Sequence, residues 1–356
     1  MNQYDVAVIG GGAAGLSAAL VLSRARRKVL VVDAGSPRNA PATHMHGYLS
    51  RDGMPPAELL AAGRDEVRSY GGDTADGTVT DLVHDGNGFT ALLTGGQRIS
   101  SRRVLVTTGL RDELPDIPGL GDRWARDVLH CPYCHGHEVS DRRLGVIGGT
   151  PGAVRYAQIV RQWTHDLTYF TSPDILTAVE RNELLARGIG VVEGTIDQLV
   201  IDDADELRGV QMRDGCVIPV DALFVPPRFV PNSALLIGLG CDVDVDGWVT
   251  VDTTGRTSVP GVWAAGNIVY PRAQVITAAG AGSAAAIAIN ANLVEEDVRT
   301  AVRDLDHGFE PQTQSRAIVG IRRPMKMRPK GHVRGQQVVH TAFSSHFHLV
   351  TDQGVL

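Results

Sequence analysis

The first part of the chain contains two apolar runs separated by a segment of helical character. YDVAVIG (4–10) and KVLVVD (28–33) are short β-branched runs of the kind found in buried parallel strands. The residues between them, GGAAGLSAALVLSRARR, predict a tight turn followed by a helix rich in small side chains. The pattern therefore predicts a strand–helix–strand unit.

The turn of this unit carries a glycine pattern. Gly10, Gly12 and Gly15 match G-x-G-x-x-G, in which the glycines allow a tight turn, a close approach to a pyrophosphate and close helix–strand packing. The helix N-terminus adds free N–H groups for phosphate. Asp33 ends the second strand, where a carboxylate can accept a hydrogen bond from a ribose 2′-hydroxyl. These features predict a dinucleotide-binding unit.

A second unit of the same pattern begins at residue 144, but its turn is altered. Gly148 is retained, whereas Thr150 and Ala153 stand where the second and third glycines are expected. A Cβ at Thr150 would crowd a pyrophosphate. Thr171 takes the place of the acid, and no arginine follows it to bind a 2′-phosphate. We expect a Rossmann-like domain that has lost NADPH binding, with a weakened NADH site as the alternative.

Three later segments repeat the character of the first domain. Residues 97–110 predict a strand that ends at Thr107, Thr108 and Gly109, and residues 257–269 predict a strand that enters a Gly-Asn turn. Residues 273–296 predict a helix dense in alanine and glycine, whose small side chains allow close approach to a partner surface. The chain is therefore expected to return to its first domain.

Composition and charge are those of a soluble protein. The chain has 356 residues, of which 43% are hydrophobic and 21% charged, enough for about two domains. A formal net charge of -6 gives no reason to expect nucleic acid as a partner. The start, MNQYDVAVIG, has no basic segment ahead of an apolar run, so neither a signal peptide nor a membrane span is expected. We predict a cytoplasmic protein.

The C-terminal residues 301–356 fit none of these patterns. We predict a solvated or disordered tail, with a nucleic-acid or anionic-partner role as the alternative. His340, His346 and His348 could bind a metal adventitiously. The segment contains a basic run without an acid, formed by Arg316, Arg322, Arg323, Lys326, Arg328, Lys330 and Arg334.

The clearest candidate chemistry lies in CPYCHGHE, residues 131–138. In a reducing compartment, a close pair of cysteines is more often catalytic or metal-binding than structural. Cationic or dipolar neighbours can lower the pKa of a thiol in such a pair well below about 8.5, which yields a reactive thiolate. We therefore interpret Cys131 and Cys134 as a redox pair.

Three other interpretations of this pair are weaker. C-x-x-C-H is also a haem-attachment pattern, but that chemistry belongs outside the cytosol. CPYC occurs in glutaredoxins, which are small domains with the pair near the start. A zinc site needs two more ligands. His130, His135 and His137 are near, but Cys216 and Cys241 form no second C-x-x-C.

Five motifs in this order are similar to the low-molecular-weight thioredoxin reductase family, over residues 1 to about 300. They are GGGAAG near the N-terminus, CxxC between the two units, FVPPRFVPN, TSVPGVWAAGN and AQVITAAG. Within that family CPYCHGHE most resembles the dithiol oxidases that close the disulfides of gliotoxin and holomycin. Ordinary thioredoxin reductases usually have Asp after the second cysteine, where this chain has His135.

The resemblance implies an α/β fold with two Rossmann-like nucleotide-binding domains and FAD in the first. The FAD domain would be split between residues 1–114 and 246–300. The central NAD(P)-like domain, residues 115–245, would carry the cysteines, and the tail would begin at residue 301.

The resemblance also implies roles for the redox residues. Cys134 would face the flavin and transfer electrons to its C4a position, while Cys131 would exchange with the substrate sulfur. His135 occupies the acid–base position, and its ordinary pKa near 6.5 suits both accepting and donating a proton. His137 and Glu138 are further candidates.

Other positions are expected to contact the cofactor. Asn267 stands where thioredoxin reductases have an aspartate on the ribityl chain, and Ala273 replaces an arginine. The loop residues Arg38, Asn39 and His46 could line either the cofactor or the substrate entrance. The full set of expected contacts comprises Gly10, Gly12, Ala13, Ala14, Gly15, Asp33, Arg38, Asn39, His46, Val79, Thr108, Gly109, Gly266, Asn267, Gln274 and Val275.

The function implied is that of a homodimeric, FAD-dependent oxidase that converts a small-molecule dithiol to its disulfide, with O₂ as acceptor and H₂O₂ as product. Two alternatives stay open. One is an NAD(P)H-dependent reductase of a thioredoxin-like protein, and the other is a flavoprotein fed by a protein donor such as ferredoxin.

Overall fold

A computed structural model describes residues 3–86 and 88–306. The first part of the chain builds most of one sheet, with two helices. In chain order, its elements are β1 (Tyr4–Ile9), α1 (Ala13–Arg24), β2 (Val29–Asp33), α2 (Pro56–Ser69), β3 (Asp73–Asp76), β4 (Val79–His84), β5 (Phe89–Leu93), β6 (Arg98–Val106) and β7 (Leu110–Glu113).

The middle of the chain builds a second sheet and a smaller one beside it. Its elements are β8 (Val128–Leu129), α3 (Pro132–His135), β9 (Leu144–Ile147), α4 (Ala153–Val160), β10 (Leu167–Thr171), α5 (Ala178–Ala186), β11 (Gly190–Glu193), β12 (Ile196–Ile201), β13 (Leu207–Met212), β14 (Val217–Pro219), β15 (Ala222–Phe224), β16 (Arg228–Pro231) and α6 (Ala234–Gly238). The last described elements are β17 (Val262–Ala264) and α7 (Val275–Asp306).

The first sheet has the order β3-β2-β1-β6-β5-β4, with β17 also paired to β6. β1 runs parallel to β2 and to β6, with Val6 opposite Val29 and Arg103. β17 is parallel to β6, with Ala264 opposite Val106. The predicted return of the chain to its first domain is therefore seen in the pairing, and the strand–helix–strand prediction for the first residues is confirmed.

The second sheet, β11-β10-β9-β15-β8, is parallel throughout. Its central strand β9 is fully buried, as expected for a parallel strand covered on both faces. The mixed α/β class with two Rossmann-like sheets is thus confirmed. The boundaries predicted at residues 114 and 245 stay a prediction, although β7 ends at Glu113 and β17 begins at Val262.

A two-stranded antiparallel ribbon lies between the two sheets in the chain path. β7 pairs with β16, with Leu110 opposite Pro231. Asn232 extends this pairing, because its side-chain amide donates to Thr108 O at 2.8 Å and its backbone N–H donates to Gly109 O at 3.0 Å. The FVPN segment is therefore fixed to the end of β6.

Helix α7 packs against α1 at very short range. A Cβ built on Gly282 would lie 1.9 Å from the carbonyl oxygen of Ala14, so only glycine allows the two backbones to approach this closely. Ala285, Ala286 and Ile289 continue the contact in the same buried cluster. The predicted small-residue helix is confirmed as a close-packing helix.

Two findings concern the C-terminal end of the described chain. Residues 275–305 are long and apolar enough to cross a membrane by length and composition alone, a test that the core helix of a soluble protein also passes. α7 continues to Asp306, past the predicted tail boundary at residue 301. The basic run after Arg316 and the cluster His340, His346 and His348 lie outside the described residues.

Replacing Gly282 by alanine is expected to destabilise the protein by about 1–3 kcal/mol, because the added methyl group forces α1 and α7 apart. Gly280→Ala is the matched control in the same helix, since a Cβ there meets no atom within 4 Å. The control should be neutral or up to about 1 kcal/mol stabilising. Thermal unfolding of the three proteins measures both effects, and equal midpoints for G282A and the wild type would contradict this packing.

Candidate active site

One large cavity lies at the carboxyl ends of β1, β2 and β6 and extends to α3. Its volume is about 560 Å³, within the usual range for small-molecule sites. It is lined by Cys131, Cys134 and His135 and by every predicted cofactor residue except Gly15, namely Gly10, Gly12, Ala13, Ala14, Asp33, Arg38, Asn39, His46, Val79, Thr108, Gly109, Gly266, Asn267, Gln274 and Val275.

The glycine turn between β1 and α1 forms one wall. Gly10 has a φ of +105°, and a Cβ on it would lie 2.5 Å from Thr107 O. Gly15 lies inside α1 and does not line the cavity, and a Cβ there would lie 1.9 Å from Gly10 O. Thr107 Oγ1 donates to Gly10 O at 2.8 Å. Close backbone packing around the turn therefore requires both glycines.

Gly12 and Asp33 complete a cradle for a dinucleotide. Gly12 precedes the first residue of α1 without a side-chain cap, and a Cβ on it would point into open space within the cavity wall. Asp33 accepts a hydrogen bond from Gly11 N at 3.0 Å through Oδ1. Its other oxygen is available to a ribose hydroxyl. An uncapped helix N-terminus, an unfilled glycine position and this carboxylate fit the pyrophosphate and ribose of FAD.

Asn267 has a more specific role than its sequence position indicates. Its Nδ2 donates to three backbone carbonyls, those of Tyr270, Pro271 and Ala273, at 3.1, 3.2 and 3.1 Å. A carboxylate has no proton to donate to these oxygens. The amide therefore holds the 270–273 loop, and only its Oδ1 is left for a bound cofactor.

The cysteine pair forms a disulfide on a single helical turn. Cys131 and Cys134 are bonded with their Cα atoms 5.2 Å apart, and Cys134 N and His135 N both donate to Cys131 O at 3.1 Å. Pro132 at the first position of α3 has no N–H to satisfy and suits a helix start. Gly136 follows, where a Cβ would lie 2.8 Å from the Trp163 ring.

His135 follows the second cysteine directly and lines the same cavity as both sulfurs. Burial lowers the pKa of its imidazole, the negative charge of Glu138 opposes this effect, and His46 adds to it. A lowered pKa favours the neutral imidazole at neutral pH, the form that can accept a proton from a thiol. His137 and Glu138 do not line the cavity.

His130 was considered only as a candidate zinc ligand in the sequence, yet it lines the cavity beside the disulfide. Among the described residues, its buried Nδ1 has no hydrogen-bond partner. Its ring meets Phe229 edge-on at 5.1 Å, and Tyr156 Oη donates to its carbonyl oxygen. Burial, together with the charge of Arg38, lowers the pKa of His130 to about 4. The imidazole is therefore neutral throughout the physiological range.

Arg38 is held by protein groups, although the sequence offered it as a cofactor or entrance contact. Its guanidinium forms a two-point pair with Asp112, at 2.7 and 2.8 Å, and lies over the Phe229 ring at 5.1 Å. Asp112 belongs to β7 and Phe229 to β16. Arg38 thus connects the loop after β2 to the ribbon.

The second glycine turn differs from the first in length as well as in sequence. Residues 10–12 separate β1 from α1, whereas residues 148–152 separate β9 from α4. Ala153, expected at the third glycine position inside the helix, is instead its first residue. Gly152 caps α4 in the left-handed conformation with a φ of +81°. The residue before the helix is therefore left-handed in this turn, whereas Gly12, which would receive a phosphate in the first turn, is extended.

A buried tyrosine packs against the second turn from the core side. Tyr169 is fully buried, and a Cβ on Gly148 would lie 2.3 Å from its hydroxyl. Burial raises the pKa of Tyr169. Thr150 is exposed and Thr171 is buried, with its hydroxyl donating to Ser172 O at 3.3 Å. The large cavity does not reach any of these residues.

Several cavity residues carried no clear signal in the sequence. They come from loops, where neither periodicity nor a motif marks a site, although the spacing THMH resembles a histidine pair. Within residues 3–86 and 88–306 no group of three or more His, Cys, Asp or Glu side chains is placed to hold a metal ion. The unpredicted lining residues include His44, Met45, Trp124, Ala125, His130 and Arg272.

Comparisons with known proteins agree with this geometry. The sequence profile described as "Pyridine nucleotide-disulphide oxidoreductase" matches residues 4–284. The chain is 31% identical over 284 residues to "Thioredoxin reductase tcpT" of Claviceps purpurea, covering 75% of this chain and 87% of that protein. It is 29% identical over 313 residues to "Thioredoxin reductase sirT" of Leptosphaeria maculans, covering 83% and 96%.

A solved structure is more similar still. The crystal structure of HlmI superposes with a TM-score of 0.83 at 54% identity, covering 86% of this chain and 97% of HlmI.

The partly buried His130, whose Nδ1 is enclosed, makes stability depend on pH. The pKa of His130 is about 4 in the folded protein against an ordinary 6.5. Between pH 4 and pH 6.5 the unfolded chain therefore binds a proton at this residue that the folded protein does not bind. Stability from this residue is complete above about pH 6.5 and falls with decreasing pH, by roughly 2 kcal/mol at pH 5. His130→Gln should therefore show a smaller fall in thermal midpoint between about pH 7 and pH 5 than the wild type. The exposed His84→Gln is the control, and parallel pH curves for H130Q and the wild type would contradict the assignment.

Proposed function

This chain belongs to the pyridine nucleotide-disulphide oxidoreductase family as a thioredoxin reductase-like, FAD-dependent disulfide oxidoreductase, and we propose that it is a dithiol oxidase. Its substrate would be a small molecule with two thiols, and its acceptor O₂. The observation that carries the proposal is the contrast between the two glycine turns. The first forms an open cradle beside the disulfide, whereas the second is longer by two residues and ends in a left-handed glycine before its helix.

The sulfur chemistry balances without any further reagent. One substrate thiolate attacks Cys131, the Cys131–Cys134 bond breaks, and Cys134 leaves as a thiolate. The second substrate thiolate then attacks the mixed disulfide at the substrate sulfur, which releases a substrate disulfide and leaves both cysteines reduced. Two electrons have moved from the substrate to the cysteine pair.

FAD supplies a two-electron acceptor for the reduced pair, and O₂ would take these electrons to give H₂O₂. The residues that would hold FAD are those of the first glycine turn, Asp33, the ends of β6 and α7, and Asn267. Cys134 is assigned as the cysteine nearer the cofactor and Cys131 as the exchanging one, as the resemblance to thioredoxin reductases implies.

His135 is the proposed acid–base residue. It would take the proton of the attacking substrate thiol and return it to the leaving Cys134 thiolate. Its lowered pKa supports this assignment because the neutral imidazole is the form present before the reaction. A neutral His130 beside it adds no positive charge to the site.

The names of the relatives favour a second candidate, an NAD(P)H-dependent thioredoxin reductase. That activity needs a nucleotide seated on the second turn. The length of this turn and its left-handed Gly152 argue against it, and the substitution of the acid by Thr171 removes the ribose partner.

Three further expectations belong to the proposal. The division into residues 1–114, 115–245 and 246–300 assigns the cradle to the split domain and the disulfide to the central one. A homodimer is supported by exposed apolar side chains on one stripe of α7, which includes Ile287, Val294 and Val298. A cytoplasmic location is supported by the exposed unpaired thiol of Cys216.

The electron donor is tested by anaerobic spectroscopy of the FAD-loaded protein. A small dithiol such as dithiothreitol should bleach the visible flavin band at least about tenfold faster than NADPH, because the donor site contains the disulfide and the second turn lacks a phosphate cradle. Readmission of O₂ should restore the band with one H₂O₂ per dithiol consumed. Rapid bleaching by NADPH would establish the reductase instead.

The roles of the two cysteines are separated by serine variants. Cys131→Ser and Cys134→Ser should each lower dithiol turnover by at least about a thousandfold, since either change removes the disulfide. The two should differ towards an aromatic disulfide reagent, with Cys134→Ser forming a mixed disulfide faster than Cys131→Ser. Mass spectrometry measures this reaction, and Cys216→Ser, a free exposed cysteine, is the turnover control. Faster labelling of Cys131→Ser would reverse the assignment.

A further inference from the structure

Trp124 is the one phenylalanine, tyrosine or tryptophan among the described residues that line the large cavity. It lies in the turn that leads into β8, shortly before Cys131, and both cysteines of the disulfide line the same cavity. Neither the sulfur exchange nor the cradle for FAD uses this side chain. A large aromatic group in the cavity of the sulfurs is therefore without a role so far.

The backbone of this turn is strained where it meets the cavity. Ala125 follows Trp124 with a φ of +64°, in the left-handed region that a residue with a Cβ seldom adopts, and it also lines the cavity. Its N–H donates to Val128 O at 2.8 Å, and Trp124 N donates to Gly121 O at 3.2 Å. Strain of this kind persists only where the surrounding structure imposes it, and it is often found at functional sites. The turn therefore fixes the direction in which Trp124 leaves the backbone.

A buried arginine clamps the same turn. Arg123 is 4% exposed, and its Nε donates to Asp127 Oδ1 at 2.7 Å, so this pair spans Trp124 and Ala125. Its guanidinium also donates to Asp205 in the β12–β13 turn, to Oδ1 at 3.0 Å and to the carbonyl oxygen at 2.9 Å. A planar guanidinium with several partners is a rigid connector. The position of Trp124 is thus set by the middle part of the chain, which also carries the disulfide.

The indole ring has one supported part and one part in the cavity wall. Trp124 is half-buried and packs against the buried cluster that contains Leu120 and Val128. The remainder of the residue contributes to the cavity. An aromatic ring held in this way offers a flat apolar surface, on which another ring can stack or pack edge-on.

We propose that Trp124 is a specificity-determining residue, whose indole is a platform for dithiols that carry their thiol-bearing carbons on a flat ring. This inference rests on the proposed function and names its substrate class. A ring packed on Trp124 is placed by the same segment that carries Cys131, so the approach of the substrate sulfur to the disulfide is set in advance. A flexible dithiol must instead order its own chain at the moment of attack.

The isoalloxazine ring of FAD is the other flat ring expected in this cavity. The groups that would hold FAD are the first glycine turn, Asp33, the ends of β6 and α7, and Asn267, which belong to the first sheet and the segments that follow its strands. Trp124 is bridged to Val128 of β8, and β8 belongs to the second sheet. The substrate must reach the disulfide on that side, so it is the ring that we assign to Trp124.

Two dithiols that each close to a six-membered cyclic disulfide test the platform. Dithiothreitol is flexible and has no ring, whereas ortho-bis(mercaptomethyl)benzene carries its thiols on a benzene ring. In the FAD-loaded full chain under anaerobic conditions, Trp124→Leu should slow flavin reduction by the aromatic dithiol about tenfold and change that by dithiothreitol less than about twofold. Trp124→Phe keeps a flat ring and should stay within about threefold of the wild type for both.

Controls separate the platform from a general effect on the protein. Trp248→Leu is the matched control, since Trp248 is a half-buried tryptophan that does not line the cavity. Trp124→Met is a second variant without a ring, in case the leucine does not fold. The wild type itself should be reduced at least about tenfold faster by the aromatic dithiol than by dithiothreitol, a comparison that needs no variant.

A second measurement does not depend on sulfur chemistry. ortho-Benzenedimethanol has the same ring with hydroxyl groups in place of thiols, and it should inhibit flavin reduction by dithiothreitol competitively in the wild type. The inhibition constant should rise about tenfold in Trp124→Leu and stay unchanged in Trp248→Leu. FAD content, flavin spectrum and thermal midpoint should be those of the wild type in all variants.

Three outcomes would overturn the platform. The wild type could show no preference for the aromatic dithiol, Trp124→Leu could slow both dithiols equally, or its FAD content or flavin spectrum could change, which would assign the indole to the cofactor. Failure of the proposed function has a different signature. In that case NADPH reduces the wild-type flavin faster than either dithiol does, whatever residue stands at position 124.

Discussion

The site depends on backbone contacts that are too close for any side chain. The β1–α1 turn lies against Thr107 at the end of β6, with Gly10 as the residue that makes this contact feasible. On its other side α1 lies against α7, where Gly282 meets the carbonyl of Ala14. Since interiors are close-packed, a single methyl group at either contact displaces a whole element. The cradle for FAD is the space that remains between these contacts.

A second constraint keeps the disulfide at the edge of this cradle. The ribbon of β7 and β16 connects the two sheets, and Asn232 fixes it to Thr108 and Gly109. Arg38 pairs with Asp112 on one ribbon strand and lies over Phe229 on the other. Because Arg38 and Asp112 are largely buried, this pair is screened less by salt than a surface pair. The sulfurs, the neutral His130 and the proposed base therefore share one cavity.

The two Rossmann-like units share one fold but differ at the turn on which phosphate binding depends. Their strands and helices follow the same apolar pattern, and both sheets form as that pattern predicts. What differs is the turn, where two added residues shift the start of α4 and Tyr169 occupies the space beneath Gly148. A fold survives such changes because its core is made by the strands and helices, whereas phosphate binding needs a particular turn geometry.

The sequence by itself determined the main strands and helices and part of the cavity wall, because strand periodicity, helix composition and glycine spacing are local properties of the chain. Gly12 and Asp33 were predicted from the glycine unit and Cys131 and Cys134 from their C-x-x-C spacing, whereas His135 was implied by the family resemblance; all five line the cavity. Only the tertiary structure decided that the His130 Nδ1 atom is buried with no hydrogen-bond partner among the described residues, that Asn267 holds its loop through three carbonyls, and that His46 lies between Asp52 and Glu138. The physical reason is that burial and contacts between distant loops follow from how the segments pack, and no local pattern of residues encodes them.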